Sequence, residues 1–443
     1  MNIFQVNRSE IEGRLDPFYY DPYFFSIINK LKSKSKSLKQ LNVNIRKGVF
    51  DLSPTKYRTH GIPFLRVADL KEGTINFEKT VFIDEKTHLE QYRTEYLPND
   101  LVFSKVGTLG EVSLLPDTYS KYNISQNIIG LRCSEELKKI VFPEFLQIFF
   151  LSNFGKIQLL RETSFGVQPK ITLEALKNIY VPILSKDIQQ IIINFYKKAN
   201  SLRLQQKEQA KKLLESIDTY LLSELGITLP EKDNSLSKRM FTVKFSEVNG
   251  GRLDPFWQIA QEQKLHSTQF KELSVKDLAS LQKGTSITSD KIISGDYPVI
   301  AGGQTSPYSH NSYNFTGNTI TISASGAYSG FVWYHENPIF ASDCTVLKSL
   351  NEEICSTVFL YEILRLKQGE LYNLQQGAGQ PHVYPNDIAK IQIPLPPLSK
   401  QKEITDHIKS IRNQAKTLQN EAEQILADAK TKVEKMILGE KNA

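Results

Sequence analysis

The sequence predicts an α+β protein built twice: two globular units of mixed sheet and helices, joined by two long antiparallel coiled-coil helices in a pseudo-twofold internal repeat. Three observations predict it. Gly-Arg-Leu-Asp-Pro-Phe stands at 13–18 and again at 251–256, 238 residues further on. Other landmarks return in the same order: Lys47-Gly48 with Lys283-Gly284, Ile62-Pro63 with Tyr297-Pro298, Gln168-Pro169 with Gln380-Pro381, Gln189 with Gln401, and Leu225-Gly226 with Leu438-Gly439. Each repeat then ends in a stretch of about 39 residues with apolar positions spaced four and three apart. The offset between copies drops from 236 at Lys47 to 212 at Gln168, so a matched frame surrounds interiors of different length. The expected divisions are a globular unit over 1–184, a helix over 185–226, a linker over 227–244, a second unit over 245–397 and a second helix over 398–439.

In the first unit, short apolar runs at 100–106 and 127–132 read as strands. In the second, 319–322, 330–334 and 339–341 read the same way. Helices are expected over 145–161 and 358–367, packed on those sheets. In the second long helix, Ile404, Ile408, Ile411, Ala415, Leu418, Ala422, Ile425 and Ala429 form an unbroken heptad seam. In the first, Ile188, Ile192, Phe195, Ala199 and Leu202 follow the same rhythm, Gln206 and Gln209 interrupt it, and Leu213 to Leu221 resume it. Pro394, Pro396 and Pro397 stop anything earlier from joining the second helix, and Gly226 and Gly439 are natural C-terminal stops. Each helix would be roughly 58 Å long at 1.5 Å per residue. A helix of that length with one apolar stripe needs a partner, and its twin in the same chain supplies one.

Composition and motifs exclude several classes. With 40% hydrophobic and 23% charged residues among 443, the chain is globular rather than disordered. No apolar run approaches a membrane span and the N-terminus has no secretory pattern. Three cysteines (Cys133, Cys344, Cys355) show no Cys-x-x-Cys spacing, so a cytoplasmic setting is expected. A net charge of +7 permits nucleic-acid binding. There is no phosphate-binding P-loop, no zinc motif, and the seven histidines are scattered, so no metal or catalytic site is expected in this chain. Two near-motifs remain. Asp117 with Glu136 and Lys138 fits a loose nuclease pattern that the second half does not repeat. Asp16-Pro17-Phe18-Tyr19, Asp21-Pro22-Tyr23 and Asp254-Pro255-Phe256-Trp257 are like the Asp-Pro-Pro-Tyr loop of amino-methyltransferases, but lack its second proline and any glycine-rich cofactor signature. They read as Asp-Pro turns with aromatic anchors. A stand-alone nucleic-acid enzyme using these residues and a coiled-coil scaffold that binds no DNA are the competing readings.

Binding signals sit in matched loops. The run from Lys30 to Lys39 holds five lysines and no acid, a stretch able to neutralise phosphates beside a DNA groove. Glycine-bearing loops follow predicted strands at 104–108 and 323–328, and polar loops stand at 163–170 and 375–382.

The whole layout resembles the specificity subunits of bacterial type I restriction-modification enzymes. The resemblance rests on two unlike globular units, each closed by a segment like Ile393-Pro-Leu-Pro-Pro-Leu-Ser-Lys-Gln-Lys-Glu-Ile404 and a long helix. The first copy, Val181-Pro-Ile-Leu-Ser-Lys-Asp-Ile-Gln189, is a degraded version. The loops Gly107-Thr-Leu-Gly110 and Ser325-Gly-Ala-Tyr-Ser-Gly330 also look like those of target recognition domains. The resemblance implies that each domain reads one half of a split double-stranded DNA target. Under this resemblance, loop position and side-chain chemistry make Arg66, Lys105, Gln168, Lys170, Lys283, Ser325, Tyr328, Gln380 and His382 candidates for DNA contact. The coiled coil, with Ile188, Ile192, Phe195, Leu202, Ile404, Ile408, Ile411, Leu418 and Ile425, would act as a ruler for the unread gap. It implies docking to two modification (methyltransferase) subunits and to restriction subunits. Those partners would supply S-adenosylmethionine, ATP and magnesium chemistry, this chain holding no cofactor of its own. A methyltransferase with a different cleavage partner is the alternative within the same reading.

Overall fold

A computed structural model describes residues 16–49, 52–107, 110–163, 169–229, 264–377 and 379–440, with positions 5, 6, 11 and 242. Gly13, Arg14 and Leu15 of the first Gly-Arg-Leu-Asp-Pro-Phe, and all of the second, lie outside them. So do nearly all of the expected linker and the Asp254 turn. No helix among the described residues is long and apolar enough to cross a membrane. The chain forms two compact units, Met1–Lys207 with Asn420–Ala443, and Glu208–Gln419. Each long helix therefore contributes to both.

Among the described residues the first elements of the first unit are a 3-10 turn, Pro17–Tyr20, and α1 (Pro22–Lys32). Then come β1 (Ser35–Ser37), β2 (Asn44–Lys47), β3 (Ile62–Leu65), a hairpin of β4 (Leu70–Lys71) and β5 (Thr74–Ile75), β6 (Val81–Ile83), α2 (Glu85–Glu90) and β7 (Glu95–Tyr96). They are followed by β8 (Leu101–Ser104), β9 (Val112–Leu114), β10 (Tyr122–Ile124) and β11 (Ile128–Arg132). The unit continues with α3 (Glu135–Ile140), α4 (Pro143–Leu151), α5 (Asn153–Glu162), α6 (Leu173–Lys177), β12 (Tyr180–Pro182) and the long α7 (Lys186–Glu224). The main sheet has the order β2-β11-β8-β9 and is antiparallel. A second sheet, β6-β3-β10-β7, holds the parallel pair β3–β10, and β1 pairs with β12.

The second unit repeats this plan in shorter form. Its strands are β13 (Glu272–Ser274), β14 (Ala279–Lys283), β15 (Tyr297–Ile300), β16 (Ser309–His310), β17 (Thr319–Ser323), β18 (Val332–His335), β19 (Phe340–Ala341), β20 (Cys344–Ser349) and β21 (Gln392–Pro394). Among the described residues its helices are α8 (Val275–Leu278), α9 (Thr357–Leu366), α10 (Gln368–Asn373), α11 (Pro385–Ile388) and the long α12 (Leu398–Leu438). The main sheet, β14-β20-β17-β18, matches the first strand for strand. The parallel pair β15–β19 answers β3–β10, and β13–β21 answers β1–β12. The β4–β5 hairpin has no counterpart among the described strands, and it falls where the copy offset drops.

Each core is a sheet covered by helices. In the first unit Leu101, Phe103, Ile129 and Leu131 pack against Phe145, Phe149 and Phe150 of α4, with Ile192 and Ile193 of α7 and Val433 and Ile437 of α12. In the second, Ile320, Ile322 and Leu347 pack with Phe359, Leu360 and Ile363 of α9, with Ile217 and Leu221 of α7 and Ile404, Ile408 and Ile411 of α12. The start of α7 thus meets the end of α12 in one unit, and its end meets the start of α12 in the other. The helices run antiparallel. Each fully buried aliphatic or aromatic side chain contributes roughly 1.5–3 kcal/mol.

Two expectations need correction. The helix expected over 145–161 is broken at Ser152, which is extended (φ −72°, ψ 168°). The break lets α5 fold back on α4 so closely that a Cβ on Gly155 would lie 2.4 Å from Phe150 Cα. The seam of α12 holds, with Ile404, Ile408, Ala415 and Ala422 buried and Leu418 and Ile425 half-buried. The seam of α7 is turned by one residue. Ile192 is buried and Phe195 half-buried, but Ile188 and Leu202 are 41% and 48% exposed. Gln189, Arg203 and Ala210 face inward instead. Arg203 is drawn in by Glu72, at the tip of the β4–β5 hairpin, and Nη1 donates to Asn200 Oδ1 at 3.2 Å. Burial alone would raise the Glu72 pKa, but Arg203 and Lys207 outweigh it and hold it below the usual carboxylate range.

Candidate nucleic-acid interface

Both main sheets end the same way at one edge. In the first unit the Gly48 amide donates to Ile128 O (3.1 Å), Val49 to Ile124 O (2.8 Å), Ser125 to Leu65 O (2.9 Å), Lys105 to Asn127 O (2.9 Å) and Ile171 to Lys105 O (3.2 Å). In the second, Gly284 donates to Cys344 O (2.9 Å), Thr285 to Ala341 O (2.9 Å), Ser342 to Ile300 O (2.7 Å), Ala324 to Asp343 O (3.1 Å) and Val383 to Ala324 O (2.9 Å). The five bonds match one for one. They fasten a strand end, the loop before the central strand and a later polar loop into one ledge.

Glycine is required where the ledge is tightest. A Cβ on Gly48 would lie 2.0 Å from Ile124 O, and one on Gly284 would lie 2.1 Å from Ser342 O. This is the physical reason that glycine returns in the repeated Lys-Gly pair. The turn after each central hairpin strand also uses left-handed glycines, Gly107 (φ 81°) in one copy and Gly326 (φ 85°) in the other.

The matched bonds set side chains in equivalent places. Lys105 stands where Ala324 stands, Lys170 where His382 stands, Arg66 where Ala301 stands, and Asn127 where Asp343 stands. Arg66, Lys105 and Lys170 are brought together around the loop 125–127. Arg66 is anchored, with Nη2 donating to Lys79 O at 2.6 Å and Nε lying 3.8 Å from the Asp69 carboxylate. It borders a cavity of about 380 Å³ together with Tyr57, Phe64, Gln126 and Asn127. Gln168 lies outside the described residues.

The second ledge gathers all five of its candidates. Lys283 ends β14 opposite Thr345 and is exposed. Ser325 Oγ donates to the Asp343 carboxylate. The Gly326 amide donates to Pro381 O at 3.0 Å, and Ser325 bridges to His382, which ties the 323–330 turn to the Gln380 loop. Gln375 Nε2 donates to Ser329 O at 2.8 Å, and Gln376 Nε2 to Asp387 at 2.8 Å, so these two amides are committed to structure. Tyr328 is 49% exposed, Gln380 is exposed, and the His382 ring stacks 6.3 Å from Tyr384.

Sequence reasoning missed Gln126, Asn127 and Asp343. Among the described residues neither the Gln126 nor the Asn127 side-chain amide has a hydrogen-bond partner, and both stand on the ledge. The available signal was the serine that follows the second-sheet strand in each copy, Ser125 and Ser342, just before them. The lysine-rich run falls elsewhere. It occupies the end of α1 and β1, beside the start of β2 rather than its Lys47 end, with Lys32 Nζ 5.7 Å from the Tyr180 ring.

The enzyme-like near-motifs are structural where they are described. Asp16 Oδ1 accepts from the Tyr19 amide and Asp21 Oδ1 from the Tyr23 amide, each at 2.9 Å, while Tyr19 and Tyr20 are buried. Glu136 pairs with Lys139 and Lys138 with Glu135 on the outside of α3, and Asp117 lies on an exposed turn. No cluster of three potential metal ligands occurs among the described residues.

Comparison with known proteins agrees with this architecture. Residues 25–216 and 268–427 each match the model of the type I restriction modification DNA specificity domain. A putative type I specificity subunit of Mycoplasma pneumoniae is 33% identical over 34% of this chain and 43% of its own length. The EcoBI type I restriction enzyme specificity subunit of Escherichia coli is 27% identical over 30% of this chain and 27% of its own. The aligned stretches thus span less than half of these relatives. A chain from a solved structure concerned with complex assembly and conformational transition of the type I R-M system shares the fold, with a TM-score of 0.51 and 16% identity over 91% of this chain and 96% of that one. Two matches of the family model, one in each copy of the repeat, cover most of the sequence, and the chain belongs to the type I restriction modification DNA specificity domain family.

Proposed function

We propose that this chain is the DNA sequence-specificity subunit of a type I restriction-modification enzyme. It reads a split, asymmetric double-stranded target, one half with each ledge. One observation carries the reading: five matched backbone hydrogen bonds hold the same ledge in both units while the side chains on it differ. Lys105, Lys170, Arg66, Gln126 and Asn127 contact one half-site, and Gln168, two positions before Lys170 in the sequence, is a further candidate for it. Lys283, Ser325, Tyr328, Asp343, Gln380 and His382 contact the other. Lysines and arginine suit phosphates and guanine edges, amides suit adenine, and an acid suits the cytosine amino group. The paired helices fix the unread gap. Modification subunits dock on this chain and carry the methyl transfer with S-adenosylmethionine. Restriction subunits bring ATP- and magnesium-dependent translocation and cleavage, and this chain contributes no catalytic group.

The test is a genome-wide map of methylated bases in the host, with and without this gene. Loss of one split motif, two short unlike halves around a fixed gap, is the expected outcome. An unchanged map, in cells where a co-purifying methyltransferase subunit is expressed and active, sinks the proposal.

A further inference from the structure

Gln189 and Gln401 occupy the first turns of the two long helices, and both are fully buried. Their amides make the same three bonds. Gln189 Oε1 accepts from the Phe142 amide at 2.8 Å, and Nε2 donates to Ile140 O and Leu184 O, each at 2.9 Å. Gln401 Oε1 accepts from the Ser356 amide at 3.0 Å, and Nε2 donates to Ile354 O at 2.8 Å and Pro396 O at 2.9 Å.

The partners have a common meaning. Phe142 and Ser356 are the residues that open α4 and α9, the helices lying on the two main sheets. Ile140 is the last residue of α3 and Ile354 lies in the turn after β20, each two residues before the helix opening. Leu184 and Pro396 belong to the short connection from β12 or β21 into the long helix. One side chain therefore joins three segments: sheet-covering helix, its approach, and the root of the long helix. The link continues to the ledge, since Phe150 of α4 packs edge-on against Phe103 of β8 with ring centroids 4.8 Å apart. An uncharged side chain with one acceptor and two donors at this reach is glutamine. An apolar replacement leaves an amide and two carbonyls without partners.

We infer that Gln189 and Gln401 are positioning residues that fix the angle of each recognition sheet on its own long helix and thereby set which gap length the protein accepts. The inference rests on the chain reading split DNA. Neither glutamine touches DNA. A rigid junction makes a one-base-pair change in the gap costly, because the second ledge then arrives displaced and rotated over its half-site. A loosened junction lets the ledge follow.

The probe is a randomised double-stranded DNA library, selected with the full chain assembled with its modification subunits and sequenced. The parent protein is expected to enrich one split motif at one gap. Gln189→Met and Gln401→Met, close in volume, are expected to keep both half-sites but to accept gaps one base pair longer and shorter, with discrimination between adjacent gaps reduced about tenfold or more. Thermal unfolding of each variant is followed in parallel. A single sharp gap in both folded variants, or an equal loss of affinity at every gap, overturns the inference and leaves the glutamines as stabilising residues only. If the methionine variants do not fold, Gln189→Glu and Gln401→Glu keep the acceptor for the helix-opening amide while setting a carboxylate against two carbonyls. An unbroadened gap in those overturns it equally. A parent protein that enriches no split motif brings down the specificity reading itself.

Discussion

The two ledges share a backbone and differ in chemistry. The first presents Arg66, Lys105, Lys170, Gln126 and Asn127, a basic and amide-rich surface. At the matched places the second presents Ala301, Ala324, His382 and Asp343, with Tyr328 and Tyr384 exposed nearby. The difference teaches how one scaffold serves two readings. The bonds that shape the ledge run between main-chain atoms, and the tightest point needs only the absence of a side chain at Gly48 or Gly284. Apart from Arg66, held by Lys79 O and Asp69, and the Ser325–Asp343 pair, the side chains on the ledge take no part in the bonds that shape it and can be set by the partner they meet.

The largest expected effect breaks the shared frame itself. Gly48→Ala and Gly284→Ala each force a Cβ to within about 2 Å of a carbonyl oxygen. Each is expected to cost about 3 kcal/mol or more, seen in denaturant unfolding, and to abolish reading of its own half-site while sparing the other. If one is tolerated and the other is not, the two ledges are less alike than their hydrogen bonds indicate.

Exchanging chemistry on an intact frame is a smaller perturbation. Asn127→Asp and Asp343→Asn should each change the preferred base at one position of its own half-site, by about 1–3 kcal/mol for the affected contact. Competition binding against single-base variants reads this. A change in the opposite half-site would contradict the assignment of one ledge to one half. Lys105 and Ala324 test the phosphate side. Lys105→Ala should weaken binding to all sequences alike and lower the salt dependence of log affinity by about one unit, and Ala324→Lys should raise it by about one. A salt slope unmoved by either places both positions away from the backbone.

Much of the frame was legible in the sequence, and the reasons lie in particular residues. Lys47-Gly48 and Gln189 stood out as repeated landmarks because close backbone approach and a three-bond buried amide tolerate little change. The strands around Leu101 and Ile320 and both long helices followed from hydrophobic period. The seam of α7 was misplaced by one residue because heptad reading prefers Leu202 to Arg203. The attraction that buries Arg203 comes from Glu72, 131 residues away on a hairpin with no counterpart among the described strands of the other copy. The ledge residues Gln126, Asn127 and Asp343 carried no signal of their own. They follow strands whose pairing, parallel to β3 and β15, emerges only when the second sheet forms.

The smallest expected effect separates the units by pH. His335 of β18 is buried, with Nε2 2.8 Å from Thr321 Oγ1, and burial pushes its pKa down to about 4. The matched place in the first unit is Leu115, also buried. In an unfolded chain a histidine titrates near about 6.5. Between that value and 4 the unfolded chain takes up a proton that the folded unit excludes. Stability of the second unit therefore falls as pH drops through that window and is fully present above it. The first unit has no such histidine on this strand. Hydrogen exchange of the β17–β18 amides should quicken between pH 6.5 and pH 4 more than that of the β8–β9 amides. His335→Leu should remove the excess, at a cost of roughly 1 kcal/mol near neutral pH for the unpaired Thr321 hydroxyl. Equal acceleration in both sheets before and after the substitution would assign the acid sensitivity to carboxylates shared by the two units, and leave the histidine as a packing residue.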